Sequence, residues 1–151
     1  MDVIESPIQQ EQAISILVID DQQLFIDGLI YVLNNLVGQV AVDCANSIDE
    51  AMAKLAKSAN YDIILLDMNM PGMGGLDFLQ QINVDELLIP IVLISAEQEN
   101  DSIQQALELG AMGFIPKSHN AEQIVAAIET VLEGNLYIPD GDQKLFKVTS
   151  H

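Results

Sequence analysis

The sequence predicts an α/β fold, a parallel sheet with helices on both faces. Three observations carry that expectation. Short apolar runs recur along the chain, at Ile16-Leu17-Val18-Ile19, Ile63-Ile64-Leu65-Leu66 and Ile91-Val92-Leu93-Ile94. They do not alternate with polar residues, which marks strands buried on both faces. Stretches with apolar residues at helical spacing lie between them. With 151 residues, half of them hydrophobic, the chain can build one domain with a real core.

Each element follows in order. Residues 1–13 are polar and Gln/Glu-rich, and are expected to be a disordered extension. They lack the basic and apolar segments of a signal peptide. Residues 15–20 read as the first strand. A helix over 22–36 is expected to bury Leu24, Phe25, Leu29, Val32, Leu33 and Leu36, and Gly38 breaks it. Val40 to Cys44 is a second strand, with Cys44 an inert buried thiol. Asn46 or Ser47 caps a helix running to about Ser58, and Glu50 completes a capping box with Ser47. Tyr61 to Asp67 is the third strand. A Pro/Gly-rich loop, 71–75, leads to a helix over about 76–82. Pro90 opens a fourth strand ending at Ile94. A helix over roughly 100–109 stops at Gly110. Met112 to Ile115 is the fifth strand, and Asn120 caps a last helix ending at Gly134. The domain is expected over 14–134, with 135–151 a linker or short C-terminal extension. The natural closure is a flavodoxin-like doubly wound five-stranded parallel sheet, strand order 2-1-3-4-5.

Charge narrows the function classes. The net charge is −18, with five lysines and no arginine. Nucleic-acid binding through phosphates needs clustered positive charge, so this chain by itself is expected to bind neither nucleic acid nor an anionic membrane. No apolar stretch approaches the roughly 20 residues that span a bilayer. One cysteine excludes an internal disulfide and fits a cytoplasmic location. No Gly-rich loop follows the first strand, which argues against dinucleotide and P-loop nucleotide binding.

The chemistry gathers at the strand ends. Asp20-Asp21, Asp67, Ser95 and Lys117 each stand at or just past the end of an apolar run. In the expected strand order they surround one crevice. Three carboxylates without Cys or His ligands suit a hard, oxygen-preferring cation such as Mg2+. Asp20 and Asp21 could instead cap the following helix. An adjacent pair with a third Asp two strands away points to a cation site. Asp67 is the candidate nucleophile, able to form an acyl-phosphate, although Met68 to Gly72 also fits a simple turn. Lys117 offers positive charge to a phosphoryl oxygen. Ser95 can donate a hydrogen bond there or serve as a turn serine. A phenylalanine such as Phe114 is more often core than switch, and nothing local separates the two. His119 is expected to be solvated or capping.

These residues together resemble a response-regulator receiver domain of two-component signalling. The resemblance covers about residues 15–135 and rests on Asp20-Asp21, Asp67 with Met70-Pro71-Gly72, Ser95-Ala96, and Pro116-Lys117. It implies that Asp67 is phosphorylated in a Mg2+-dependent reaction. Asp21 would ligate the ion directly, Asp20 mainly through water, and the Asn69 backbone carbonyl would complete the protein ligands. Lys117 would contact the phosphoryl group and Ser95 would swing toward it. Phe114 would be the mobile switch aromatic, without a tyrosine's hydroxyl. Asn69 and Glu97 would tune phosphate lifetime. The segment 106–117, with Gly134 to Pro139, is similar to LuxR/NarL-type regulators. That implies a sensor histidine kinase or phosphotransfer protein as partner, dimerisation on phosphorylation, and transcription regulation through a helix-turn-helix domain not in this chain. A stand-alone receiver acting by protein contact is the alternative. The implied role is signalling, with no catalysis beyond its own phosphorylation and dephosphorylation. An aspartate-nucleophile phosphatase of the haloacid-dehalogenase kind is disfavoured. Its Asp-x-Asp ends the first strand, where this chain has Asp20-Asp21-Gln22, and no cap domain is evident.

Overall fold

A computed structural model describes residues 13–36, 39–58, 60–70, 75–82, 87–96 and 100–139. The expectations for residues 1–12, Gly38, the turn at 71–74, Glu97 and the tail beyond 139 lie outside these. The elements in order are β1 (Ile14–Ile19), α1 (Gln23–Leu36), β2 (Val40–Ala45), α2 (Ile48–Lys57), β3 (Ile63–Asp67), α3 (Gly75–Gln81), β4 (Ile91–Ser95), α4 (Asn100–Glu108), β5 (Gly113–Pro116) and α5 (Ala121–Leu132). The five strands form one parallel sheet in the order β2-β1-β3-β4-β5. This is the expected flavodoxin-like order.

Burial on both faces explains the unbroken apolar runs. Successive strand side chains point to opposite faces. On one side Leu17, Ile19, Ile64, Leu66, Leu93 and Phe114 pack with Ile48, Phe78, Leu79 and Ile103 of α2, α3 and α4. On the other, Ile16, Val18, Ile63, Leu65, Val92, Ile94 and Ile115 pack with Ile26, Leu29 and Leu33 of α1 and with Ile124 and Ile128 of α5.

The buried stripe of α1 includes Leu29 and Leu33 as expected and departs from the expectation at its start. Leu24 is 89 % exposed, whereas Ile26 is fully buried. Ile26, Leu29 and Leu33 share a face at spacings of three and four, with Phe25 and Ile30 at its flanks. The run of apolar residues at the start of α1 left that phase open. Cys44 is half-buried rather than buried. Its partial burial pushes the thiol up from the ordinary cysteine value, which keeps it in the unreactive form.

Helix ends follow the expected chemistry with one shift. Ser47 accepts from the Glu50 N–H at 3.1 Å, but the Glu50 carboxylate accepts from the Asn46 N–H at 2.7 Å, one residue before the cap. The reciprocal box forms instead on α5, where Asn120 and Gln123 each accept from the other's N–H. Gly110 and Gly134 end α4 and α5 with φ of 115° and 94°, a backbone that side-chain-bearing residues rarely adopt.

After α5 the chain returns to the sheet. Tyr137 bridges Gly113 in parallel. The Phe114 N–H donates to the Tyr137 carbonyl at 3.1 Å, and the Tyr137 N–H donates to the Met112 carbonyl at 3.0 Å. A Cβ on Gly113 would meet that Tyr137 oxygen at 2.6 Å, so only glycine allows this approach. The first residues past α5 are therefore an ordered cover on the β5 edge.

Candidate functional site

The strand order sets β1, β3, β4 and β5 side by side, and their C-terminal ends share one edge of the sheet. Asp67 and Ser95 are the last residues of β3 and β4, while Asp20 and Lys117 follow directly on β1 and β5. The structure brings these sequence-selected residues together. Carboxylate oxygens of Asp20, Asp21 and Asp67 lie within 4.8 Å of one another. Asp20 and Asp67 are buried and Asp21 is exposed.

Each carboxylate is oriented by its own loop. Asp20 Oδ1 accepts from the Gln22 N–H at 2.8 Å, so Asp20 also tightens the turn into α1. That bond lies just ahead of the first residue of α1 and leaves the second oxygen of Asp20 facing the other carboxylates. Its Oδ2 is buried and accepts no hydrogen bond among the described residues, although Lys117 Nζ stands 3.0 Å away as an ion-pair partner. Asp67 Oδ1 accepts from the Asn69 N–H at 3.0 Å, and its Oδ2 lies 3.5 Å from Lys117 Nζ. Burial pushes the Asp67 carboxyl above its ordinary value, and the Asp20 charge adds to this. The Asn69 N–H and the Lys117 charge pull it back.

Lys117 is held far more closely than a loop lysine would be. Its side chain is only 11 % exposed. It donates to Gln22 Oε1, and its ammonium sits 4.7 Å from the centre of the Phe25 ring. The Lys117 N–H donates to the Ser95 carbonyl at 2.8 Å, tying the two strand ends together. Ser95 Oγ donates to Asn69 Oδ1 at 2.9 Å. Phe114 is fully buried in the core on the α4 side.

His119 is neither solvated nor a cap. It is half-buried, Asn120 caps α5, and His119 Nε2 meets Tyr137 Oη at 2.9 Å with the rings edge to face. Burial lowers the imidazole from its ordinary value. The contacts of Gln22 and Phe25 with Lys117 were not evident from sequence. The one available signal was their position on the turn that begins at Asp20-Asp21.

Asp20 Oδ2, buried, ion-paired with Lys117 and accepting no hydrogen bond among the described residues, stands beside two further carboxylates, an all-oxygen donor set that fits a hard cation. Adjacent strand ends bearing an acidic trio, a hydroxyl and a largely covered ammonium define a receiver-type site. The chain belongs to the response regulator receiver domain family, whose model matches residues 16–129. Members are signalling proteins that interact with histidine kinases or phosphotransfer proteins. The chain is 39 % identical over 125 residues to the glycerol metabolism activator of Pseudomonas putida, covering 82 % of this chain and 56 % of that one. Two solved structures have a TM-score of 0.73 at 31 % identity. One is a LuxR family DNA-binding response regulator from Silicibacter pomeroyi, matched over 84 % of this chain and 98 % of that one. The other is the signal receiver domain of the putative response regulator NarL from Mycobacterium tuberculosis, matched over 82 % and 99 %. The chain spans a little over half the length of the curated relatives it matches. Among the described residues no helix is long and apolar enough to cross a membrane.

Proposed function

We propose that this chain is a phosphoryl-accepting switch, with Asp67 as the acceptor. The observation that carries the reading is the meeting of three carboxylates within 4.8 Å with one largely covered ammonium. One oxygen of Asp67 forms the new phosphorus–oxygen bond. The bond from phosphorus to the donor histidine of a sensor kinase or phosphotransfer protein breaks, and its electron pair leaves on the imidazole. Lys117 already faces the Asp67 oxygen and can pair with a phosphoryl oxygen as charge shifts there. The Asn69 N–H fixes the carboxylate's rotation. Mg2+ held by Asp20, Asp21 and Asp67, with the Asn69 backbone carbonyl, would offset repulsion between the carboxylate and the incoming phosphoryl group.

Ser95 would exchange its bond to Asn69 for one to the phosphoryl group. The buried Phe114, in the same core cluster as Ile103 and Ala106 of α4, would register that change on the α4-β5-α5 face. That face is the proposed dimerisation surface. The output proposed is transcription regulation through a helix-turn-helix domain outside this chain. The domain turns over no substrate besides its own phosphoryl group. The chain's charge of −18 keeps this part off nucleic acid, and its single half-buried cysteine suits the cytoplasm.

The test is intact-protein mass after incubation with acetyl phosphate and Mg2+. A base-labile gain of about 80 Da, one phosphoryl group, is expected in the parent and not in Asp67→Ala. An adduct of equal size in Asp67→Ala would overturn the assignment.

A further inference from the structure

Lys117 Nζ stands beside two carboxylates and also meets two neutral groups. These come from the residue before α1 and from the first turn of α1. Gln22 Oε1 accepts from the ammonium, and the Phe25 ring faces it at 4.7 Å. Phe25 is half-buried, with its body packed against the core formed by α1 and α5. A ring fixed in this way presents a stationary negative face. The face attracts a cation, more strongly where water is excluded. A lysine stem otherwise has large rotamer freedom, and five lysines are all the cations this chain has.

We propose that Phe25, assisted by Gln22, is a positioning residue for Lys117, holding the ammonium over Asp20 and Asp67 before any phosphoryl group arrives. The inference rests on Asp67 being the phosphoryl acceptor. Phe25 touches no reacting atom and acts only through the lysine. Its contribution is orientation in advance, so that Lys117 need not be recruited from solvent during transfer. Gln22 is exposed and neutral, and it can release the ammonium when a phosphoryl oxygen competes for it.

The experiment compares the parent, Phe25→Leu and Phe25→Tyr by three measurements. The first is the initial rate of adduct formation with acetyl phosphate. The second is Mg2+ affinity by calorimetry. The third is the proton shift of the Lys117 ε-methylene, which a facing ring moves upfield without any phosphorylation. Phe25→Leu is expected to lose about three- to thirtyfold in rate, the span of a cation–π contact. It should also lose the upfield shift while Mg2+ affinity is undiminished. Phe25→Tyr keeps the aromatic face and should keep both rate and shift. A Phe25→Leu rate equal to the parent's would overturn the proposal. So would equal losses in both variants, or a Mg2+ affinity that falls in step with rate, since a merely structural role predicts these. If the parent itself takes no adduct, the acceptor reading of Asp67 fails, and this inference fails with it; the ring-current shift then reports only the resting contact.

Discussion

At the scale of single residues, polar side chains that look alike in sequence have different surroundings. Asp43 binds Tyr61 Oη at 2.7 Å and Lys54 Nζ at 3.0 Å, a cluster on the rim remote in sequence from the strand-end aspartates. The Tyr61 hydrogen bond, aided by Lys54, holds the Asp43 carboxyl below its ordinary value. Burial, with that same bond, pushes Tyr61 up to about 12. A raised phenol contributes stability that is whole below its unfolded value of 10.0 and is lost as pH rises toward 12. A lowered carboxyl contributes stability that is whole above 3.8 and is lost as pH falls through its folded value. Melting temperature against pH should therefore decline between pH 10 and 12 in the parent. Tyr61→Phe should flatten that alkaline limb, and an unchanged limb would show that Tyr61 does not supply it. Nothing in the sequence pairs Asp43 with Tyr61. The link needs the register in which β2 and the segment before β3 flank β1.

At the scale of elements, the sequence made the strands plain and their helices less so. Runs such as Ile63-Ile64-Leu65-Leu66 admit few structures besides a doubly buried strand, so strand order and the meeting of the four polar strand ends were legible together. The start of a helix's buried stripe was not. Leu29 and Leu33 are buried as expected, but Leu24 and Ile26 are equally apolar and lie about 200° apart around the helix. Only the position of the sheet decides between them. The Ser47–Glu50 box failed for a related reason. Its glutamate had Asn46 within reach, one residue upstream. The return of Tyr137 to β5 was likewise hidden, because its sole mark is a glycine within a strand. Gly113→Ala should cost about 1–3 kcal/mol by denaturant unfolding, because its methyl group would collide with the Tyr137 carbonyl. Amide exchange at Phe114 and Tyr137 should quicken with it. Full stability with unchanged exchange would mean the contact is readily displaced.

At the scale of the whole molecule, charge is the governing term. A net charge of −18 repels itself, and the strand-end trio concentrates part of it. A cation bound there should raise the melting temperature. At about 100 times its Kd the gain is about 2.7 kcal/mol, or roughly 10 °C for a domain of this size. Asp21→Asn should abolish most of that gain while raising the metal-free melting temperature, since it removes one like charge. A gain that survives Asp21→Asn would place the cation elsewhere. The ordered stretch after α5 has a consequence at this scale too. Tyr137 is bonded both to the β5 backbone and to His119, two residues from Lys117. Any coupling carried by these two contacts would be reciprocal. A ligand that favours the chain with this stretch peeled from the sheet would then shift the lysine loop by the same free energy with which the loop's state alters that ligand's binding. If peeling the stretch after α5 from the sheet displaces His119, a pull on Tyr137 would be felt at the Lys117 loop.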